Sequence, residues 1–215
     1  MRRVMNGLLF ISHQTKQYTY LQSIKIALEG GCRQIQLRMK ESTSHEVEIV
    51  AQQAKSLCKD YNAQLYIDDH VGICKKIKAT GVHLGKTDMR PAAARAILGN
   101  EYIIGGTANT FEDILRLDAE GVNYIGLGPF RFTSTKKNLS PILGIEGYTK
   151  IINQCEENKI KLPVLAIGGI TIKDIPSLLQ TGVNGIALSS TILNATNPIE
   201  ETKKIVEIMN SINKF

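Results

Sequence analysis

The segment Gln36-Leu37-Arg38-Met39-Lys40 alternates polar and apolar residues. In an extended chain it sends Gln36, Arg38 and Lys40 to one side and Leu37 and Met39 to the other. Two cations and an amide on one inward face are costly to bury unless an anion compensates them, and a phosphate or pyrophosphate would do so. The competing arrangement is internal pairing with carboxylates from neighbouring strands. Such carboxylates follow at Asp68-Asp69-His70 and at Asp88. Asp69 and Asp88 are of the type that shares a hard cation, because Mg2+ takes one or two carboxylates and fills its shell with water and phosphate oxygens. Two other roles remain open for these acids: Asp69 as a helix N-cap ahead of Val71, and plain ion pairing with Arg38 or Lys40. His70 and His83 lack the ligand spacing of a transition-metal site and read as structural.

Further along lies Gly128-Pro129-Phe130-Arg131-Phe132, then Thr133-Ser134-Thr135-Lys136-Lys137. Hydroxyls and a lysine in a long loop can bind phosphate and close over a ligand, so this loop reads as a lid. Gly168-Gly169 and Ser189-Ser190 each stand between an apolar run and a helical pattern. In barrels the corresponding pair of loops commonly cradles a phosphate with backbone N–H groups. Two anion sites follow, one metal-assisted and one built largely from backbone, and they suggest a transferase acting on two phosphorylated substrates.

The elements that must position these residues alternate along the whole chain. Strand candidates are Leu8–Ser12, Gln34–Met39, Gln64–Asp68, Val82–Leu84, Tyr102–Gly105, Tyr124–Leu127, Val164–Ile167 and Gly185–Leu188. Segments of helical period separate them: Tyr18–Glu29, His45–Tyr61, Val71–Ala79, Pro91–Leu98, Thr110–Glu120, Gly147–Asn158, Ile172–Gln180 and Glu200–Asn213. Gly30, Gly81, Gly121 and Gly182 are read as helix ends, the last three sharing a Gly-Val pattern before a strand. Thr110 with Asp113 and Thr171 with Asp174 have capping-box spacing. Eight βα units predict an α/β fold, a single (β/α)8 TIM barrel domain over residues 1–215, with a doubly wound open sheet as the alternative. In a barrel every candidate above falls at the catalytic end, where the strands finish.

The formal charge of +6 comes from 26 Lys and Arg against 20 Asp and Glu. The basic residues are scattered, there is no Trp and no aromatic-basic interleaving, so no nucleic-acid partner is expected. No apolar run reaches the roughly 18 residues of a membrane span and none makes a signal-peptide core, so no membrane partner is expected and the default location is cytoplasmic. Cys32, Cys58, Cys74 and Cys155 form no C-x-x-C pair and are expected as packed, reduced thiols.

Taken in order, Phe10-Ile11, Gln36 to Lys40, Val82-His83-Leu84-Gly85, Ile104-Gly105, Tyr124 to Pro129, Thr133 to Lys136 and Ala166 to Ile170 resemble the thiamine-phosphate synthase (thiamin phosphate pyrophosphorylase) family. The resemblance implies that hydroxymethylpyrimidine pyrophosphate is joined to thiazole phosphate, or its carboxylate, with release of pyrophosphate. It implies that Gln36, Arg38, Lys40, Thr107 and Lys136 hold the pyrimidine pyrophosphate and that Asp69 and Asp88 bind Mg2+. Thr133, Thr135, Gly169, Ser189 and Ser190 would hold the thiazole phosphate, with Ser134 beside them. The implied mechanism is dissociative: pyrophosphate leaves first, and the thiazole nitrogen traps the pyrimidine methyl cation. Arg38, Lys40 and Lys136 would stabilise the leaving group. Two positions depart from the family pattern, Asp68 for a common Asn and Thr107 for a common Ser. Asp68 either joins the metal shell or weakens substrate binding. The other readings are a TenI-like thiazole tautomerase, which carries a histidine near the fifth strand where this chain has Thr107-Ala108-Asn109-Thr110, and a non-catalytic barrel that binds thiamin phosphate. Oligomeric state is left open, a homo-oligomer included.

Overall fold

The computed structural model describes residues 6–132 and 141–212. Among the described residues eight parallel strands close into one barrel in chain order. They are β1 Gly7–Ile11, β2 Gln34–Leu37, β3 Gln64–Asp68, β4 Gly81–Leu84, β5 Ile103–Ala108, β6 Tyr124–Leu127, β7 Val164–Ile167 and β8 Gly185–Leu188. β8 pairs with β1 from Gly7↔Gly185 to Phe10↔Leu188, which closes the sheet and rules out the doubly wound alternative. The helices are α1 Tyr20–Glu29, α2 Ser44–Asp60, α3 Val71–Ile77, α4 Pro91–Leu98, α5 Phe111–Ala119, α6 Gly144–Glu157, α7 Ile175–Gln180, α8 Ser190–Leu193 and α9 Pro198–Ile212. The short α8 has no counterpart in the sequence reading, because four residues carry no visible period. The 3-10 turn Ile172–Asp174 stands where one continuous helix was expected.

Alternation along each strand creates two cores. Outward residues such as Phe10, Ile35, Ile67, Val82, Ile104 and Ile186 pack under the helices, whose buried residues include Ile24, Ala51, Ile114 and Leu178. Inward residues Leu9, Ile11, Tyr66, Tyr124, Leu165 and Ala187 fill the barrel itself. Large inward side chains face glycine across the ladder: Tyr124 pairs with Gly105, and a Cβ on Gly105 would stand 2.1 Å from the Tyr124 ring. The four cysteines are free and buried. Among the described residues no helix is long and apolar enough to cross a membrane.

Capping chemistry sets the element starts. Thr19, Thr43 and Thr110 each form a reciprocal capping box at the head of α1, α2 and α5. Thr171 and Asp174 form the same box at the 3-10 turn. Of the four glycines read as helix ends, Gly81 needs correction, and Gly30 caps α1 without the left-handed conformation. Gly121 and Gly182 do adopt positive φ, of 74° and 95°. Gly30 has φ −76°, and Gly81 is the first residue of β4, with Lys78 as the left-handed cap of α3. As the first residue of its strand, Gly81 corresponds to Tyr124 and Gly185, not to Gly121. What repeats structurally is the residue just before β4, β6 and β8: Thr80, Asn123 and Asn184 accept the backbone N–H of Leu65, Ile104 and Val164, the last at 2.7 Å.

Candidate active site

β2 ends at Leu37, two residues short of the expected strand Gln34–Met39, because the Arg38 N–H turns to the Ser12 hydroxyl at 3.0 Å. The alternation nonetheless sorts the side chains as expected: Leu37 and Met39 are buried in the outer core, and Gln36 is buried inside the barrel. Gln36 Nε2 donates to Asp68 Oδ1 at 2.6 Å. The other oxygen, Asp68 Oδ2, lies 3.6 Å from Arg38 Nε and 3.5 Å from Lys40 Nζ. Lys40 also donates to Asp69 and stands 3.7 Å from Asp88 Oδ2. One ammonium is therefore surrounded by three carboxylates. Burial, the largest single influence, pulls its pKa down, but the three acids together hold it above the usual lysine value.

Asp69 is not the N-cap of α3. That place is taken by His70, and Asp69 adopts φ 63°, which turns its carboxyl back toward the mouth of β3. Asp88 Oδ2 accepts the Gly85 N–H at 2.7 Å, so the loop after β4 holds it in place. The two carboxyls share a hydrogen bond. Burial first, then that bond and the charge of Asp68, raise Asp69 to about 7. Burial also pushes Asp88 upward, but the bonds from Asp69 and from the Gly85 N–H, with Lys40, leave it below the usual carboxylate range. Among the described residues Asp69 Oδ1 is buried and has no hydrogen-bond partner. A proton shared between two acids beside an orphaned oxygen is what a divalent cation would relieve, so the residues fit one. Among the described residues no three His, Cys, Asp or Glu side chains are grouped to hold a metal unaided. Further ligands would have to be water and phosphate oxygens, the usual habit of Mg2+.

Across the barrel, β5 runs on to Ala108 because its ladder with β6 continues through Thr107↔Gly126 and Ala108↔Leu127. Thr107 is thus a strand residue rather than a loop residue, and its hydroxyl lies 2.9 Å from His83 Nε2. His83 was read as structural. It is buried, and it links Thr107 to Tyr124, whose hydroxyl lies 3.0 Å from Nδ1.

Gly168 and Gly169 close β7 with φ 96° and 68°. A Cβ on Gly169 would fall 2.7 Å from the Phe132 carbonyl, so the close approach of these two loops requires glycine. The Thr191 hydroxyl donates to the Ile170 carbonyl at 2.5 Å, tying α8 to the β7 loop. Ser189, which precedes α8, has a buried hydroxyl with no partner among the described residues. Gly169 and Ser189 therefore fall on adjoining loops, with Ser190 opening α8. Thr133, Ser134, Thr135 and Lys136, and with them the lid expectation, lie outside the described residues. The approach to that segment is fixed: Phe130 N and Arg131 N donate to Ile167 O and Gly168 O, both at 2.9 Å.

Arg131 was not singled out in the sequence, although it stands in the quoted loop. It makes two 2.9 Å bonds to the Asp174 carboxylate and one of 2.8 Å to the Gly169 carbonyl. Only proximity in space exposes this role, since 43 residues separate the partners. The Arg131 bonds first, helped by the Thr171 N–H and hydroxyl against a smaller burial effect, hold Asp174 at about 2. A depressed carboxylate contributes stability above its unfolded value and loses it as pH falls through the folded one. The contribution of Asp174 is accordingly expected to be full above about pH 4 and to fade toward pH 2. Urea unfolding of Asp174→Asn should show a flatter acid limb over that window, and an unchanged limb would remove the pair from this role.

A closed (β/α)8 barrel with cations, an acid pair and a glycine-lined double loop at one end defines an enzyme barrel that handles phosphorylated ligands. The thiamine monophosphate synthase family profile matches residues 8–192. The chain is 59% identical over 204 residues to the thiamine-phosphate synthase of Bacteroides fragilis, covering 95% of this chain and 100% of that one. It is 60% identical to the protein of the same name from Bacteroides thetaiotaomicron, covering 95% and 98%. The structure of thiamine phosphate pyrophosphorylase from Pyrococcus furiosus superposes with a TM-score of 0.84 at 30% identity, over 96% of each chain. The chain belongs to the thiamine monophosphate synthase family.

Proposed function

We infer that this chain is a transferase that joins hydroxymethylpyrimidine pyrophosphate to thiazole phosphate, or its carboxylate, forming thiamin phosphate and releasing pyrophosphate. The observation that carries the reading is the convergence of Gln36, Arg38 and Lys40 with Asp68, Asp69 and Asp88 at the mouth of β2, β3 and β4. Fully ionised, these described residues carry one more negative than positive charge, which would repel a pyrophosphate. Asp69 and Asp88 hold Mg2+, which when bound supplies positive charge to the pyrophosphate oxygens.

Arg38 and Lys40 leave their carboxylates to bind the departing pyrophosphate, with Lys136 completing the set. Their charge is most useful as the C–O bond breaks and negative charge gathers on the leaving group. Asp68 keeps the two cations aligned before substrate arrives, and its own negative charge is countered by Gln36, Arg38 and Lys40. Gly169, Ser189 and Ser190, with Thr133, Ser134 and Thr135, hold the thiazole phosphate so that its ring nitrogen is in line to trap the cation. The Ser189 hydroxyl, buried and without a partner among the described residues, suits a phosphate oxygen. The tautomerase alternative is disfavoured because β5 ends in Thr107-Ala108 and runs into Asn109-Thr110, with no histidine there.

The test is direct: purified protein with both substrates and Mg2+ should release pyrophosphate and form thiamin phosphate in equal amounts. No product at saturating substrate would sink the assignment. Isomerisation of a thiazole phosphate carboxylate alone would favour the tautomerase.

A further inference from the structure

We propose that His83 is a positioning residue: it relays a hydrogen bond from Tyr124 to Thr107, so that the Thr107 hydroxyl is held as a donor to the pyrimidine pyrophosphate. The proposal rests on the reaction assigned above and extends it to two buried residues behind Thr107.

Inside the barrel His83 stands between two hydroxyls, with Nδ1 3.0 Å from Tyr124 Oη and Nε2 2.9 Å from Thr107 Oγ1. A neutral imidazole carries one N–H, so the chain of bonds runs in one of two directions. In one, Tyr124 donates to Nδ1, Nε2–H donates to Thr107, and the threonine keeps its own proton for a ligand. In the other, Thr107 donates to Nε2, and Nδ1–H donates to Tyr124. Among the described residues the Tyr124 hydroxyl bonds to His83 alone, and the tyrosine is fully buried. The second direction would therefore strand the phenol proton in the barrel core without an acceptor, which burial penalises strongly. The first leaves no buried donor unused. Burial, with Tyr66 and Asp68 nearby, also keeps the Tyr124 phenol firmly protonated, which preserves it as a donor.

The barrel interior is shaped around this pair of rings. Gly105 leaves room for Tyr124, since a Cβ there would lie 2.5 Å from its hydroxyl oxygen. Gly126 does the same for His83, with a would-be Cβ 3.1 Å from Cε1. Two neighbouring strands thus give up side chains at the places where the relay needs space. A threonine hydroxyl otherwise rotates freely between donor and acceptor roles. Fed by an imidazole N–H, it is committed to donating outward, and the bond strengthens as the pyrophosphate gains charge on departure. No proton is transferred along the chain; only the direction of the bonds is set.

A mutant cycle tests this without relying on fold stability. Thr107→Val removes the donor and Tyr124→Phe removes the origin of the relay. Each should lower kcat about 10- to 100-fold, the range for partners that orient a ligand-binding group, with a smaller change in KM for the pyrimidine substrate. Tyr124→Phe should then have little further effect in the Thr107→Val background. Side-chain 15N spectra of the wild type should show His83 as the Nε2–H tautomer. Additive effects, Tyr124→Phe with wild-type kcat, or an Nδ1–H tautomer would each overturn the relay. A wild type that forms no thiamin phosphate would overturn the reaction assignment and the catalytic use of the relay with it.

Discussion

Lys40→Ala lowers kcat/KM for the pyrimidine substrate by about 10²–10³-fold, the cost of removing one preorganised charge-stabilising donor. Lys40 is expected to act most strongly because its ammonium reaches all three acids of the cluster, Asp68, Asp69 and Asp88. Its loss removes a positive charge from the leaving group. It also leaves Arg38, 3.6 Å from Asp68, as the remaining described cation of the cluster against its three carboxylates, so the described part of the site becomes more repulsive toward pyrophosphate. Lys40→Arg should recover part of the rate, since charge is restored, but not all of it. The branched guanidinium is planar and cannot occupy the compact position of an ammonium among three carboxylates. Steady-state kinetics at saturating thiazole phosphate check this, and a Lys40→Ala enzyme within threefold of wild type would place the pyrophosphate elsewhere.

The second large effect is expected at Asp88. Asp88→Ala raises the Mg2+ concentration for half-maximal rate by about 10- to 100-fold, while saturating metal restores much of the turnover. Two roles meet in this side chain, because Oδ2 accepts the Gly85 N–H and also faces Lys40 and Asp69. Asp88→Asn separates them. The amide oxygen can still accept the Gly85 N–H and keep the loop in place, but the ligand charge is gone. If Asp88 serves the metal, the asparagine variant shifts the Mg2+ requirement nearly as far as the alanine variant. If it serves only the loop, asparagine behaves as wild type, and the acid pair loses its assigned function.

Much of this site is readable before folding is considered. Alternation through Gln36, Arg38 and Lys40 survives although the strand ends at Leu37, because side-chain direction depends on local backbone pleat and not on whether the ladder continues. Asp69 and Asp88 were separable as an acid pair by their positions after two successive strands. The residues that escaped notice are those whose meaning depends on partners far along the chain. His83 looked structural because its neighbours Tyr124 and Thr107 are 41 and 24 residues away. Arg131 reaches Asp174, and nothing at either position alone signals the other. Gly81 was misplaced because a shared Gly-Val pattern mimics register, and only the ladder shows which residue opens each strand.

What the sequence by itself determined is the succession of strand and helix periods, the caps at Thr110 and Thr171, and the chemical types gathered near strand ends. These are local properties, set by pleat, helical period and the hydrogen-bonding reach of a few residues. Tertiary structure decided closure of the barrel, which strand ends lie side by side, and which partner each buried polar group finds. It made Asp69 and Asp88 share one hydrogen bond, set Lys40 among three acids, and aligned Tyr124, His83 and Thr107 across three neighbouring strands. The reason is physical: an ionisable group's behaviour is fixed by the charges and the desolvation around it, and both arise only when distant segments are brought within a few ångströms.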